Sequence, residues 1–327
     1  MKLKVGVVGC GGVAQRWHLP ALSKISESWP SKQGIEFVAC CDLIQEKADA
    51  VAKQYGVRPY TDPGRMLAEE ELDLVMVLTR EQDRARAAIT ALKAGVNVFC
   101  EKAISDSIQK AEEMVRVAAE MNCALGVNFN YRFSPPYMKL KEMISSGKLG
   151  EPCFISFLSH GDCYHHIIDL NRYFMGEVKK VYARYLIEKD RAFILGERWL
   201  YTASRFKMVT FEFENGFAGD ILGSDYMSYS HPLVSCTYAG TKGRATIPDI
   251  VGKVIYMPND GEVTVWRPSF LEKRDFSITF ENSIRAFIEA ILRKEKPPVT
   301  GLDGLRALQI EEAILLSQEK GIPVKPY

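Results

Sequence analysis

The stretch Leu3-Lys-Val-Gly-Val-Val-Gly-Cys-Gly-Gly-Val-Ala14 decides how the rest of the chain is read. Leu3, Val5, Val7 and Val8 form a short apolar run, β-branched enough for a buried strand. It runs straight into Gly9, Gly11 and Gly12, and Ala14 completes a G-x-G-x-x-A spacing. Each small residue has its own task. Gly9 permits a tight turn, Gly11 lets backbone N–H groups approach a diphosphate, and Ala14 lets the next helix pack close to the strand. A helix over Gln15–Lys24 directs its free N–H groups and positive dipole end at the phosphates. The spacing alone is a weak signal. The strand before it and the helix after it make Gly9, Gly11, Gly12, Val13 and Ala14 the expected dinucleotide contacts.

Further on, Ile35–Cys41 reads as a second strand ending at Asp42. An acidic residue there accepts hydrogen bonds from the adenosine ribose hydroxyls and repels a 2′-phosphate, which favours NAD over NADP. Asp42 also reads as the N-cap of a helix over Gln45–Tyr55, and the two roles can coexist. A third apolar strand, Leu72–Leu78, reaches Thr79, and helix Gln82–Lys93 stops at Gly95. Strand Val96–Cys100 is followed at once by Glu101 and Lys102, then by helix Ile108–Met121 and strand Ala124–Val127. Strands alternating with helices specify a parallel, doubly wound Rossmann sheet. Ligands bind such sheets at the carboxyl ends of the strands, where the glycine turn, Asp42, Thr79, Glu101 and Lys102 all fall.

The second half has another character. Pro135-Pro136 opens a helix, strand Cys153–Ser159 follows, and a helix after His160 runs through Met175. From Val178 strands follow strands, with hairpin signals at Asn215-Gly216 and Asp260-Gly261. A large, mostly antiparallel open sheet in an α+β domain is expected, with helices Ser277–Lys294 and Leu302–Glu319 closing the chain. The fold class is therefore α/β, with a Rossmann domain over residues 1–128 and an α+β substrate and oligomerisation domain over 129–327.

Composition narrows the partners. The 327 residues carry 42 Lys+Arg against 41 Asp+Glu, a balance that argues for neither nucleic acid nor an anionic membrane. No apolar stretch approaches the length of a membrane span. Eight cysteines show no C-x-x-C and no framework spacing, so buried free thiols in the cytoplasm are expected.

Taken together, several motifs resemble the glucose–fructose oxidoreductase / inositol dehydrogenase / MocA (Gfo/Idh/MocA) family along essentially the whole chain. They are the glycine fingerprint with His18-Leu-Pro-Ala-Leu22, Ala91-Leu-Lys-Ala-Gly95 leading to Glu101-Lys102, Asn130-Tyr-Arg-Phe-Ser-Pro135, Gly147-Lys-Leu-Gly150, and Asp162-x-x-x-His166-x-x-Asp169. Glu214-Asn-Gly216, Gly240-Thr-Lys-Gly243 and Asp303-Gly304 follow in order. The resemblance implies hydride exchange between a nicotinamide and a hydroxyl-bearing carbon of a sugar, cyclitol or related polyol. It also implies a homodimer or homotetramer built through the C-terminal sheet. On the family's pattern Lys102, Asp162 and His166 are the catalytic set, and Asn130 joins them toward substrate. A neutral imidazole at His166 suits loss of the hydroxyl proton. Lys102 suits stabilisation of the developing alkoxide or a proton relay, and Asp162 suits an orienting partner.

The chain also departs from that pattern. Relatives carry Thr-Pro-Asn-x-x-His where this chain has Thr79-Arg-Glu-Gln-Asp-Arg84, Pro after Glu-Lys where it has Ala103, and Gly where it has Tyr164. Arg80 and Arg84 are either ligands for an anionic group or surface charges on a helix. The departures leave a catalytically inactive nucleotide-binding regulator or scaffold of the same fold as the alternative function. The cluster His160, Asp162, Cys163, His165, His166 and Asp169 raises a metal-assisted alternative, since His165 and Asp169 share a helix face. The family needs no metal, and none is assigned.

Overall fold

The computed structural model describes residues 2–29, 34–160, 163–195, 199–227, 233–268 and 274–327. They form two compact units, residues 1–130 with 276–308, and residues 131–275 with 309–327.

The first unit opens with β1 (Leu3–Val8), one π-helical turn (Ala14–His18) and α1 (Leu19–Ser28). Then come β2 (Ile35–Cys41), α2 (Gln45–Tyr55), β3 (Arg58–Tyr60), α3 (Pro63–Glu69), β4 (Leu74–Val77) and α4 (Glu81–Lys93). β5 (Asn97–Cys100), α5 (Ile108–Glu120) and β6 (Leu125–Val127) complete the alternation. All six strands are parallel, in the order β3-β2-β1-β4-β5-β6. The expected parallel, doubly wound sheet is found, with one strand more than expected. β3 is the strand the sequence does not announce, because Arg58-Pro59-Tyr60 is short and exposed at two of its three positions. A proline in it suits a sheet edge, where one backbone donor is dispensable.

The second unit holds α6 (Pro135–Ser145), β7 (Pro152–His160), α7 (Tyr164–Met175), β8 (Val178–Leu195), β9 (Trp199–Phe213) and β10 (Ala218–Ser224). β11 (Val234–Gly240), β12 (Gly243–Ile247), β13 (Val254–Pro258) and β14 (Thr264–Trp266) follow. They make one eight-stranded sheet, β14-β13-β12-β11-β7-β10-β9-β8, antiparallel except for the parallel pair β7 and β10. The β8–β9 hairpin is longer than the sequence suggests. Charged Glu188-Lys189-Asp190-Arg191 interrupts the apolar alternation, yet the backbone ladder continues to Leu195.

α8 (Ser277–Arg293) belongs to the first unit, and the first residues of α9 (Gly301–Lys320) do too. Phe280, Ile284, Phe287 and Ile288 recur at helical spacing and enter the core that Val5, Val7, Leu22 and Phe99 form. Their burial contributes roughly 2 kcal/mol each. Gly126 in β6 makes the room: a side-chain carbon there would overlap the Phe287 ring.

Candidate active site

In the first unit the glycine turn is tied down from two sides. The Gly9 N–H donates to the Cys41 carbonyl over 2.8 Å, and the Cys10 N–H donates to Asp42 Oδ2 over 2.8 Å. Gly9 has φ +100°, and a Cβ on it would lie 2.8–2.9 Å from the backbone of Leu78 and Thr79. No side chain fits there in any rotamer. At Gly11 and Gly12 the reverse holds, since a Cβ would meet nothing within 4 Å. The backbone therefore faces open space at the two positions where a diphosphate needs close approach. Ala14 is fully buried and lets the helix start against the strand, while Val13 is exposed.

Asp42 also accepts from the Ile44 N–H over 3.0 Å, so its carboxylate links the glycine turn to the start of α2. It is not the N-cap of that helix; Ile44 holds the position, without a side-chain cap. Two N–H bonds leave carboxylate lone pairs for ribose hydroxyls. The residues fit a dinucleotide with an unphosphorylated ribose.

Glu101 and Lys102 follow β5. Glu101 Oε1 lies 2.6 Å from His18 Nε2 and accepts from Asn128 Nδ2 over 2.7 Å; Ser283 Oγ in turn donates to Asn128 Oδ1 over 2.9 Å. The Lys102 N–H donates to Glu101 Oε2 over 3.1 Å. Burial acts to raise the Glu101 carboxyl. The hydrogen bond and charge of His18, the Asn128 amide and the Lys102 charge outweigh it and bring the carboxyl down to about 2. Glu101 is thus a buried carboxylate that fixes the backbone from which the half-buried Lys102 projects. The peptide bond between Lys102 and Ala103 is cis.

Thr79 ends the neighbouring strand, its hydroxyl on the Arg80 carbonyl at 3.2 Å. Arg84 is not a surface charge: it is buried, and its guanidinium donates to the carbonyls of Thr79 and Ala103. Asn130 is buried too, and donates its amide to Thr279 Oγ1 over 2.7 Å.

In the second unit His166 lies on α7, buried, with its ring stacked on Tyr131 at 3.9 Å and 8°. Stacking holds the imidazole plane. Asp169 is engaged by Arg132 through a two-point ion pair, Nε to Oδ2 at 2.6 Å. His165 Nε2 meets Glu311 Oε2 at 2.8 Å. Among the described residues no group of three or more His, Cys, Asp or Glu could hold a metal. Asp162 lies outside the described residues. Tyr164 is buried edge-on against Tyr185, with Lys207 Nζ 5.9 Å above each ring.

Sequence reasoning missed His18, Tyr131, Arg132 and the burial of Arg84. Three of them had a signal, because they sit inside quoted motifs; what was missing was the partner.

Residues 3–129 match the oxidoreductase family with an NAD-binding Rossmann fold, and residues 155–325 match that family's C-terminal α/β domain. The chain belongs to the Gfo/Idh/MocA oxidoreductase family. An oxidoreductase of Bacillus subtilis, YrbE, is 26% identical over 99% of this chain and 96% of its own. The myo-inositol 2-dehydrogenase of Thermotoga maritima is 23% identical over 99% of this chain and 98% of its own. Among solved structures, levoglucosan dehydrogenase in complex with NADH and L-sorbose superposes with a TM-score of 0.87 at 20% identity, covering 100% of both chains. The Gfo/Idh/MocA family is one of oxidoreductases with an NAD-binding Rossmann fold, and the open backbone at Gly11–Gly12 together with the Asp42 carboxylate fits such a cofactor. Bound there, NAD would supply a hydride acceptor or donor. No helix among the described residues is long and apolar enough to cross a membrane.

Proposed function

We propose that this Gfo/Idh/MocA protein transfers hydride between NAD and a secondary alcohol carbon of a sugar, cyclitol or related polyol. The observation that carries the reading is a dinucleotide cradle followed, at the next strand ends, by a lysine whose backbone is fixed by a buried carboxylate. Full-length similarity to a myo-inositol dehydrogenase supports the substrate class.

In this reading His166 accepts the hydroxyl proton as hydride leaves the carbon, Lys102 stabilises the alkoxide that develops, and Asp162 orients the pair. The Tyr131 stack limits imidazole rotation, and the Glu101 carboxylate keeps the Lys102 backbone from drifting. Asn130 joins them toward substrate: Thr279 holds its amide nitrogen, and among the described residues its buried Oδ1 has no partner. Purified protein with NAD⁺ and a panel of inositols, aldoses and anhydrosugars should produce NADH with at least one of them. Lys102→Met and His166→Ala should each remove about two orders of magnitude or more from kcat. No turnover on the panel, together with no effect of either substitution on NADH binding, would leave the reading without support.

We also propose a homodimer or homotetramer through the C-terminal sheet, in the cytoplasm. Phe154 and Leu158 on β7, Leu222 on β10, Phe206 on β9 and Leu186 on β8 are all exposed, and strand register puts them on one face. A contiguous apolar face of this kind is more than a soluble monomer ordinarily leaves to water. Light scattering should give a dimer or tetramer, and Leu158→Glu with Phe206→Glu should give a monomer.

A further inference from the structure

Arg84 lies one turn into α4 and is only 3% exposed. One terminal nitrogen donates to the Thr79 carbonyl at the end of β4, the other to the Ala103 carbonyl in the loop leaving β5. Among the described residues Arg84 makes no ion pair, and its Nε finds no acceptor. A guanidinium is charged at every accessible pH. A full positive charge is therefore held below the carboxyl ends of β4 and β5 with carbonyl oxygens as its hydrogen-bond acceptors and, among the described residues, no carboxylate paired to it. The Cys100 thiol registers that charge: burial pushes it up to about 12, and the guanidinium pulls against the rise.

The place of that charge matters because of strand order. Asp42 ends β2, the glycine turn follows β1, and β4 and β5 lie on the other side of β1 from β2. A dinucleotide whose adenosine ribose is bound by Asp42 and whose diphosphate lies at the glycine turn continues toward the ends of β4 and β5. Its redox ring is a cation when oxidised and neutral when reduced. The nearby carboxylate, Glu101, is already shared among His18, Asn128 and the Lys102 backbone, and the Lys102 side chain adds a second positive charge.

We propose that Arg84 selects the redox form of the cofactor, its buried charge disfavouring the cationic nicotinamide so that the chain binds NADH more tightly than NAD⁺. Arg84 is a group that cannot discharge. Two unit charges about 10 Å apart at an effective dielectric near 20 differ in energy enough for roughly a tenfold effect on binding.

The test needs no substrate. Cofactor-free protein is titrated with NADH by fluorescence and with NAD⁺ by calorimetry, as wild type, Arg84→Gln and Arg84→Lys. Wild type should bind NADH about fivefold or more tighter than NAD⁺. Arg84→Gln keeps donors for the two carbonyls but drops the charge, and should reduce that ratio about fivefold. Arg84→Lys should hold the ratio within about twofold, because the charge stays. If both affinities fall together in Arg84→Gln and the ratio is kept, the arginine only props two loops and the proposal is overturned. Should Arg84→Gln not fold, wild type still decides: NAD⁺ binding as tightly as NADH overturns it.

Discussion

His18 Nε2 and Glu101 Oε1 stand 2.6 Å apart, brought together from 83 positions away in sequence and closed off from solvent within the first unit. The pair converts a carboxyl that burial alone would neutralise into a carboxylate. That carboxylate holds the main chain of the residue proposed to face the substrate.

Stability should carry the mark of this pair at low pH. The Glu101 carboxyl sits at about 2 in the folded chain against an ordinary 4.5. A lowered carboxyl contributes stability in full above its unfolded value and loses it as pH falls through the folded one. Roughly 3 kcal/mol should therefore disappear between about pH 5 and pH 2. Urea unfolding of Glu101→Gln should show a shallower slope across that window than wild type, and lower stability at pH 7. Identical slopes would show that the carboxyl is not held ionised.

Gly9→Ala should abolish the cofactor site. The substitution places a methyl group 2.8–2.9 Å from the Leu78 and Thr79 backbone at φ +100°, and neither clash can be relieved by a rotamer. A cost of about 1–3 kcal/mol is expected, with NADH affinity down at least about tenfold. Thermal melting and fluorescence titration check the two parts separately.

Asp42→Ala removes an acceptor from the Cys10 and Ile44 N–H groups and the negative charge that opposes a 2′-phosphate. NADH affinity should fall about tenfold while NADPH affinity changes little, since one gain offsets one loss. Parallel titration of both cofactors reads this directly. An unchanged NADH to NADPH ratio would take Asp42 out of ribose recognition.

In the second unit, Arg132→Met should be severe. It leaves Asp169, 0% exposed, without its two-point partner. Breaking a buried pair from one side costs about 3–5 kcal/mol, and replacing both members by apolar residues recovers much of it. Urea unfolding of Arg132→Met, Asp169→Leu and the double variant should therefore be strongly non-additive. Additive losses would mean that the pair is not the unit.

How much of this was legible depended on distance along the chain. The cofactor cradle is local: strand, glycine turn, helix and the acid after β2 are each written in a few neighbouring residues, and backbone sterics leave little choice. The parallel sheet was legible from its alternation, though its edge strand β3 was lost to its brevity; the large mixed sheet was legible from strand density, though the β8–β9 hairpin was underestimated at its charged segment. The place of Lys102 just past the carboxyl end of β5 was legible because the strand is a short apolar run with a clear end. Arg84 and Asp169 were read less well. A helix shows which residues share a face, but not whether that face meets carbonyls, another helix or water.

By itself the sequence determined the fold class and the dinucleotide turn, since hydrophobic period and glycine placement act over the length of one element. Only the tertiary structure decided that α8 closes the core of the first unit, that Asp169 belongs to Arg132, and that His18 belongs to Glu101. Those are pairings between distant segments, and their energy comes from burying charge and apolar surface together, which no stretch of chain specifies until its neighbour has arrived.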